Sequence, residues 1–211
     1  MTTNGTQDKP QYGLSDILDL YTKGQFPMSD TRSSDGFMVI EPDMRGIIPL
    51  DGLHISRSLS KVMKNTEYVV TINHCFSRVI EQCAAPRPGH PETWISESLQ
   101  EVYEHFHDAG FAHSLEVWDS PSLLPDNLVG GLYGIALGGA FFGESMFSIK
   151  PNGSKIALVH LIERLNRNGF VLLDTQYLTD HLESMGGIEI SQKDYLKRLA
   201  PALSIQANFI A

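Results

Sequence analysis

Residues 128–148 read LVGGLYGIALGGAFFGESMFS, and this stretch decides the fold of the chain. It contains two apolar, glycine-rich runs, Leu128–Leu137 and Ala140–Ser148, which Gly138 and Gly139 separate. A two-residue Gly-Gly loop favours a tight hairpin, because type I′ and II′ turns need positive φ angles that glycine adopts without steric cost. The stretch therefore predicts two antiparallel strands joined by a hairpin turn.

A helix and a further strand follow the hairpin. Ser154 is a typical helix N-cap, and Gly169 stands where the apolar helical pattern ends. Phe170–Asp174 is typical of a buried strand, and we expect two more strands upstream, at Tyr68–Ile72 and Ala112–Trp118. A strand, a crossover helix and another strand form a right-handed parallel pair. The order of elements therefore predicts an α/β protein with a mixed sheet, in which antiparallel strands come first and a parallel strand is added.

The N-terminal part of the chain is less regular. Residues 1–12 are polar, and we expect them to be disordered. Three prolines between residues 25 and 52 leave no room for a long uninterrupted helix there. We therefore divide the chain into a small N-terminal domain, residues 1–62, and a second domain, residues 63–211, which contains the hairpin and the crossover helix.

Composition and charge exclude several classes of protein. The chain has 211 residues with 16 Lys and Arg against 25 Asp and Glu, and its net charge of −9 excludes a uniformly basic nucleic-acid-binding face. Any contact with RNA must use a local patch, such as Arg57, Lys61 and Lys64, which lie at helical spacing. Cys75 and Cys83 are too far apart for a CxxC metal or redox pair. The N-terminus does not resemble a signal peptide and no apolar stretch is long enough to span a bilayer, so we expect a cytoplasmic protein without membrane contact.

Several common catalytic motifs are missing from the sequence. No HExxH occurs, and His105 and His107 stand two residues apart on an apparent helix, so their side chains point in different directions. There is also no GxSxG nucleophile motif and no GxxxxGK[ST] phosphate-binding loop. We therefore expect neither a bound metal ion nor a serine nucleophile.

Polar residues stand in two strands that are otherwise apolar. Glu144 interrupts the second strand of the hairpin, and regular alternation would put its side chain on the same side as Phe142 and Met146. Asp174 and Gln176 end the strand after the crossover helix, two residues apart and so on one face. Because open α/β sheets bind ligands at the carboxyl ends of their parallel strands, Glu144, Asp174 and Gln176 are candidates for a functional site.

A structural role for the same residues is equally well supported by the spacing alone. A buried carboxylate without a partner costs several kcal/mol, so such groups are usually paired or functional. Asp174 could cap a loop, and Glu144 could pair with a core arginine or with His181. The spacing does not name a substrate.

Beyond single residues, six short segments of the sequence occur in the order found in one protein family. Over about residues 12 to 200 the chain resembles the leucyl/phenylalanyl-tRNA–protein transferases. The segments are LHISRSL (53–59), TWI (93–95), AHSLEVW (112–118), LVGGLYG (128–134), FGESMFS (142–148), and DTQ (174–176) followed by TDHL (179–182).

The resemblance implies a fold and an activity. The expected fold is a GCN5-related acetyltransferase-like domain preceded by a small N-terminal domain. The expected enzyme is an aminoacyltransferase that moves Leu or Phe from the acceptor end of aminoacyl-tRNA to the α-amino group of proteins with N-terminal Arg or Lys, in the N-degron pathway. We expect weaker transfer of Met, because an apolar pocket discriminates between similar side chains by only ~1–3 kcal/mol per methylene. No cofactor is implied, and we expect a monomer.

The resemblance also implies roles for individual residues. Glu144, Asp174 and Gln176 would form the polar centre. Our own hypothesis is that Asp174 orients and deprotonates the incoming amine through Gln176 and that Glu144 binds the cationic N-terminal residue of the acceptor. An aromatic side chain would stack on the 3′-terminal adenosine of the tRNA, and apolar side chains would surround the transferred amino acid. The implied catalytic residues are Asp174, Gln176 and Glu144, and the implied substrate-binding residues are Trp94 for the adenosine and Leu132, Met146 and Leu173 for the apolar pocket.

The sequence departs from the family at one place. Members usually carry one or two tryptophans just before a Pro-Asp-x-Arg segment, whereas this chain has Met38-Val39-Ile40 before Pro42-Asp43-Met44-Arg45. One expected contact with the adenosine is therefore missing, which bears on the affinity for the tRNA end.

Three other functions fit the same fold. An acyl-CoA-dependent N-acetyltransferase would need a glycine-rich turn for the CoA pyrophosphate, but the turn at residues 149–154 has one glycine and a proline. A catalytically inactive binding module is supported only by the missing tryptophan. A transferase for proteins that begin with Asp or Glu is disfavoured, because an acidic residue should not favour Glu144 as its contact.

Overall fold

The computed structural model describes residues 13–86 and 92–211, so the expectation of disorder for residues 1–12 lies outside the described residues. The described helices are α1 (Leu14–Thr22), α2 (Arg57–Asn65), α3 (Phe76–Ala84), α4 (Glu97–Asp108), α5 (Gly153–Arg167), α6 (Asp180–Glu183) and α7 (Gln192–Leu203). The described strands are β1 (Phe26–Met28), β2 (Met38–Ile40), β3 (Met44–Ile47), β4 (Val69–Ile72), β5 (Ala112–Trp118), β6 (Leu128–Leu137), β7 (Ala140–Ser148), β8 (Leu172–Gln176) and β9 (Ile188–Ser191).

Seven of these strands form one mixed sheet, in the order β4-β5-β6-β7-β8-β3-β9. β7 and β8 are parallel, and the other neighbouring strands of this sheet are antiparallel. β1 and β2 form a separate two-stranded sheet. The expected α/β class with a mixed sheet is thus confirmed.

The hairpin that the glycines predict is confirmed, and β6 and β7 have the predicted bounds. Gly138 lies in the left-handed region, with a φ angle of 57°. A Cβ atom at this position would lie 2.5 Å from the carbonyl oxygen of Leu203, at the end of α7. Glycine is therefore required both by the turn and by the close approach of α7.

The crossover helix α5 joins β7 to β8, and the pairing of these two strands is short. It covers Ala140 to Phe142 on β7, opposite Leu172 to Asp174 on β8. β7 then continues to Ser148, whereas the last residue of β8, Gln176, pairs with Gly46 of β3 on the other side. The carboxyl ends of β7 and β8 therefore separate, and a gap opens between them.

Helices cover both faces of the main sheet. α1, α3, α4 and α7 pack on one face in what we call the first core, where Tyr21, Tyr103 and Phe142 are buried. α2 and α5 pack on the other face in the second core, where Leu132 and Leu173 are buried. Fully burying one such side chain contributes about 1.5–3 kcal/mol, so the two cores hold the sheet firmly between its helical layers.

A separate small N-terminal domain is not confirmed. β3, which belongs to the expected domain of residues 1–62, lies inside the main sheet between β8 and β9. Ile17 and Tyr21 of α1 are buried in the first core together with residues of α3 and α4. The boundary between residues 62 and 63 therefore stays a prediction.

Replacing Gly138 by alanine should destabilise the protein more than replacing Gly169, although both glycines have positive φ angles. A Cβ at Gly138 would lie within 3 Å of backbone atoms of Leu203, whereas nothing lies within 4 Å of a Cβ at Gly169. We expect a loss of about 1 kcal/mol for Gly169→Ala from the left-handed backbone alone, and of at least ~3 kcal/mol for Gly138→Ala, measured by urea unfolding. Equal losses would contradict the close approach of α7.

Candidate active site

A β-bulge in β7 sets the direction of Glu144. Tyr133 of β6 pairs with Ser145, and the next residue, Gly134, pairs with Gly143, so Glu144 has no partner on β6. A bulge of this kind bends the strand and re-aims the extra side chain, and bulges are common beside active sites. The bulge therefore shifts the alternation of the strand by one residue after Glu144.

The expectation that Phe142, Glu144 and Met146 share one side of the sheet is wrong, because the bulge shifts the alternation by one residue. Phe142 belongs to the first core, and Glu144 contacts Tyr103 of the same core. Met146 packs against the second core, on the opposite face. Glu144 and Met146 nevertheless line one cavity, which lies at the gap between β7 and β8.

Glu144 is a buried carboxyl group with one unused oxygen. Tyr103 donates a hydrogen bond to its Oε2 at 2.8 Å, and the hydroxyl of Tyr21 lies 2.9 Å from that of Tyr103. Among the described residues neither Glu144 Oε1 nor His181 Nε2 has a hydrogen-bond partner, so these two residues do not pair. Burial raises the pKa of Glu144 to about 7, although the hydrogen bond from Tyr103 lowers it. The carboxyl group is therefore present in both protonation states at neutral pH.

Asp174 lies behind the cavity rather than in its wall. Its carboxylate is fully buried and accepts hydrogen bonds from Arg45 Nε at 2.9 Å, Arg45 Nη2 at 2.5 Å, Tyr195 Oη at 2.8 Å and the Gln176 N–H at 2.8 Å. These four bonds fill the acceptor positions of the carboxylate. Burial opposes the charge on Arg45, but the Asp174 carboxylate outweighs it and raises the pKa of Arg45. The core arginine that we considered as a partner of Glu144 thus pairs with Asp174 instead.

Gln176 combines an unusual backbone with an unsatisfied side chain. Its φ angle is 62°, in the left-handed region, and its side chain is buried in the wall of the cavity. A residue held in this region stores about 1–3 kcal/mol of strain, and such residues cluster at active sites. The Gln176 amide lowers the pKa of Glu144, yet its Nε2 makes no hydrogen bond of normal geometry to a described residue. We therefore regard the two side chains as neighbours and not as a bonded pair.

The cavity has a volume of about 470 Å³ and lies between β7, β8, α5 and α6. Of the seven site residues that the resemblance implies, the cavity brings six together, and Asp174 is the exception. The six lining residues are Trp94, Leu132, Glu144, Met146, Leu173 and Gln176.

Among the described residues, most buried polar side-chain atoms without a hydrogen-bond partner belong to residues that line this cavity. Six such side-chain atoms occur in the described part of the chain, and five of them belong to residues that line the cavity. Leaving a buried donor or acceptor unsatisfied costs about 1–3 kcal/mol, so a ligand that supplied partners would be stabilised here. The five atoms are Tyr133 Oη, Glu144 Oε1, Thr175 Oγ1, Gln176 Nε2 and His181 Nε2.

Sequence reasoning missed several residues of the wall. Leu158 and Leu161 widen the apolar face of α5 beyond what packing on one side of a sheet requires, and this width was the available signal. Thr175 should alternate away from Gln176, yet both line the cavity, because the left-handed backbone of Gln176 breaks the alternation. Arg45 belongs to the Pro-Asp-x-Arg segment, but its pairing with Asp174 carried no local signal, since the two residues lie 129 positions apart in the sequence.

The described residues contain no cluster of three or more His, Cys, Asp or Glu side chains that could hold a metal ion. Within the same residues, each helix is too short or too polar to cross a membrane.

The sequence of this chain is similar to that of one protein family over most of its length. Residues 47–200 match the model of the family described as leucyl/phenylalanyl-tRNA protein transferase. The leucyl/phenylalanyl-tRNA–protein transferase of Maricaulis maris is 51% identical over 200 residues, which cover 95% of this chain and 90% of the relative. The protein of the same name from Rhodospirillum rubrum is 50% identical over 193 residues, which cover 92% of this chain and 88% of the relative.

Among solved structures, FemX is similar in fold. It superposes with a TM-score of 0.52 and 13% identity, over 84% of this chain and 66% of FemX. At this identity the likeness shows the fold alone. FemX has a GCN5-related acetyltransferase-like fold, so this part of the expected fold class is supported.

Glu144→Gln should change how stability depends on pH. The folded-state pKa of Glu144, about 7, lies above its ordinary value of 4.5, so the folded protein binds this proton more tightly than the unfolded chain does. The stabilisation that the protonated Glu144 gives the folded protein is therefore fully present below the ordinary pKa and is lost as the pH rises through the folded-state pKa. As the pH rises from about 4.5 to 8, the unaltered protein should lose up to ~3 kcal/mol of unfolding free energy that Glu144→Gln does not lose. The difference between the two proteins, measured by urea unfolding, should therefore shift by this amount in favour of Glu144→Gln. A constant difference across this range would contradict the raised pKa.

Proposed function

The chain belongs to the leucyl/phenylalanyl-tRNA protein transferase family, whose members are aminoacyltransferases, and from this premise we propose that it transfers Leu or Phe, and Met less well, from aminoacyl-tRNA to proteins that begin with Arg or Lys. The amino acid would be joined to the α-amino group of the acceptor. The proposal places the protein in the N-degron pathway, in the cytoplasm, as a monomer without a cofactor. The observation that carries it is the cavity between β7 and β8, whose lining combines an apolar wall with five residues that each have an unsatisfied buried polar atom.

The apolar part of the cavity supports Leu or Phe as the transferred residue. Leu132, Met146, Leu158, Leu161 and Leu173 line it. Burying a Leu or Phe side chain there would contribute about 1.5–3 kcal/mol, whereas a polar side chain would lose its hydration without compensation. Met differs little in size and polarity, so it should be accepted less well but not excluded.

Aromatic residues at the cavity are suited to the terminal adenosine of the tRNA. Trp94 lines the cavity and is half-buried, and Tyr177 lines it with much of its side chain exposed. Tyr177 contacts Phe26 of β1, and β1 pairs with β2. On β2, exposed Met38 and Val39 stand in place of the tryptophans usual in the family. Stacking of a base on an aromatic ring is worth ~1–3 kcal/mol, and the position of Trp94 and Tyr177 at the cavity supports this role for them.

A local basic surface on α2 supports contact with RNA phosphates. Arg57, Lys61 and Lys64 line one shallow hollow of about 390 Å³. None of the three forms an ion pair with a described acidic residue. Because the chain carries a net charge of −9, three unpaired cations support a contact limited to the acceptor end of the tRNA.

Glu144 and Gln176 can supply the chemistry of the transfer. The ester of an aminoacyl-tRNA is already activated, so the acceptor amine can attack the carbonyl carbon directly once it is held in place and has lost a proton. Glu144 suits this proton transfer, because its Oε1 is unused and its pKa is about 7. The unused Nε2 of Gln176 can donate to the carbonyl oxygen as negative charge develops. The ammonium form of the acceptor first releases one proton to solvent. As the neutral amine attacks and the C–N bond forms, Glu144 accepts a second proton from the nitrogen, and as the ester C–O bond breaks it passes this proton to the departing ribose oxygen.

This scheme gives Asp174 an orienting role without proton transfer. Arg45, Tyr195 and the Gln176 N–H occupy the acceptor positions of Asp174, so it has no oxygen left for an amine. It also gives Glu144 a different task from binding a cationic side chain, because the proton transfer uses Oε1, its one oxygen without a hydrogen-bond partner among the described residues.

An acyl-CoA substrate has less support. CoA pyrophosphate would need free backbone N–H groups at the start of α5. The N–H of Ser154 donates to Ser148 Oγ at 2.7 Å, and the N–H of Gly153 donates to the carbonyl oxygen of Lys150 at 3.2 Å. Pro151 has no N–H at all. The aminoacyl ester is therefore the better-supported acyl donor.

Charged leucyl-tRNA should donate its amino acid to peptides that begin with Arg or Lys, and not to peptides that begin with Asp or Ala. Incorporation of labelled leucine into each peptide measures this, with acetyl-CoA in place of the tRNA as a control that should yield no product. Transfer to the Asp peptide would contradict the proposed acceptor class. No transfer to any peptide would indicate a binding module without catalysis.

Glu144→Gln should lower kcat by about 10²-fold or more, because general-base catalysis contributes typically that much. For the same reason the rate of the unaltered enzyme should fall as the pH drops below about 7, where Glu144 becomes protonated. Glu101→Gln, at an exposed position of α4, is the matched control and should leave kcat unchanged. A rate for Glu144→Gln within twofold of the unaltered enzyme would remove Glu144 from the proton transfer.

A further inference from the structure

We infer that Arg45 and Tyr195 are positioning residues of the proposed transfer: through Asp174 they fix the strained turn at Gln176 that aims its side-chain amide into the cavity. Neither Arg45 nor Tyr195 lines the cavity itself. The inference rests on the proposed function, because it concerns the same cavity. The stability of the turn can be measured by amide exchange without any activity, so this inference and the proposed function can fail separately.

The backbone at Gln176 forms a turn that does not persist by itself. Its φ angle of 62° lies in a region that L side chains rarely adopt. The N–H of Tyr177 donates to the carbonyl oxygen of Thr175 at 2.7 Å, which closes a three-residue turn around Gln176. A γ-turn with positive φ is rare and strained, and a conformation of this kind persists only where surrounding contacts hold it.

Asp174 accepts the hydrogen bond that fixes the peptide group before this turn. The N–H of Gln176 donates to Asp174 Oδ1 at 2.8 Å, so the position of the carboxylate sets the position of the peptide plane before the turn. At the other end of Gln176, the side-chain Nε2 has no hydrogen-bond partner among the described residues. The direction of the amide therefore depends on the backbone turn, and the turn depends on Asp174.

Arg45 keeps the Asp174 carboxylate from moving. Its own Nη1 donates to the carbonyl oxygen of Gly24 at 2.9 Å. Its guanidinium group lies 4.7 Å from the ring centre of Phe26 and 4.6 Å from that of Tyr195. With five donors in a fixed plane and no exposed surface, Arg45 can present only one arrangement of its fork to Asp174.

The strand that carries Arg45 also packs directly against the turn. A Cβ atom added to Gly46 would lie 2.7 Å from the backbone nitrogen of Leu178 and 2.7 Å from the carbonyl carbon of Tyr177. Tyr195 completes the arrangement from α7, where its hydroxyl donates to Asp174 Oδ2 at 2.8 Å. Three separate elements, β3, β8 and α7, thus converge on the carboxylate that positions Gln176.

Tyr195→Phe tests the inference with a small change, because it keeps the ring beside Arg45 and removes only the hydroxyl donor. The amide proton of Gln176 should exchange with solvent about 5-fold faster or more, since a less firmly held carboxylate holds the N–H less well. Tyr68→Phe, at a half-buried position before β4, is the matched control and should leave this exchange unchanged. Unchanged exchange in Tyr195→Phe would overturn the inference.

The kinetic readout separates positioning from a merely structural role. Tyr195→Phe should lower kcat about 10-fold, because the Gln176 amide would be misplaced at the reacting carbonyl, and should leave KM for aminoacyl-tRNA within about twofold. Thermal unfolding tests whether the variant is folded. If it is not, kcat and KM are measured instead for Arg45→Lys, which keeps the positive charge but loses the two parallel hydrogen bonds to Asp174. A folded variant with unchanged kcat would overturn the inference even if its exchange were faster.

Gln176→Asn supplies the rescue experiment. Asparagine enters the left-handed region more readily than glutamine, so its turn should depend less on Asp174. In the Gln176→Asn background, the loss caused by Tyr195→Phe should shrink from about 10-fold to about 2-fold, and an equal loss in both backgrounds would overturn the inference. If the unaltered protein transfers nothing from leucyl-tRNA, the proposed function fails. The amide-exchange result still decides whether Arg45 and Tyr195 hold the turn at Gln176 through Asp174.

Discussion

The buried ion pair between Arg45 and Asp174 is the interaction on which the site depends. Both side chains have no exposed surface, and removing two charges from water costs several kcal/mol per ion unless hydrogen bonds replace the hydration. Tyr195, the Gln176 N–H and the Gly24 carbonyl supply that replacement. Because Arg45 lies on β3 and Asp174 on β8, the pair fixes β3 on the side of β8 that faces away from β7. β8 can then part from β7 while keeping a neighbour, and the cavity occupies the gap.

Two departures from regular strand geometry bring polar groups to that gap. The bulge at Glu144 keeps this carboxyl group with Phe142 on the side of the first core, next to Tyr103. The left-handed turn at Gln176 brings an amide to the same cavity from β8. Each departure leaves a buried polar atom unsatisfied, at about 1–3 kcal/mol, and the extensive apolar burial on both faces of the sheet is large enough to offset this. The fold thus leaves Glu144 Oε1 and Gln176 Nε2 without hydrogen-bond partners among the described residues, at a local cost in stability.

The local features of the fold could be predicted from the sequence, but the register could not. The Gly138-Gly139 turn and the apolar runs beside it depend on neighbouring residues, and the hairpin has the predicted bounds. The bulge depends on which β6 residue faces which β7 residue, so alternation placed Met146 on the wrong face. The Arg45–Asp174 pair depends on β3 entering the sheet next to β8, which no local pattern records. Six of the seven implied site residues line the cavity because family resemblance carries such long-range information indirectly.

The charge of the protein acts in opposite directions on the two proposed substrates. A net charge of −9 attracts an acceptor with a cationic N-terminal residue and repels the phosphates of a tRNA. In the proposed reaction, binding of the tRNA end would therefore rest on contacts that charge does not dominate. These would be stacking on Trp94 and burial of the amino-acid side chain, with the cations of α2 as a local exception. A fully ionised carboxylate inside the cavity would add to the repulsion. The burial that raises the pKa of Glu144 to about 7 reduces that charge in the resting site. The same raised pKa suits the role that we propose for Glu144, which is to accept a proton from the amine at neutral pH.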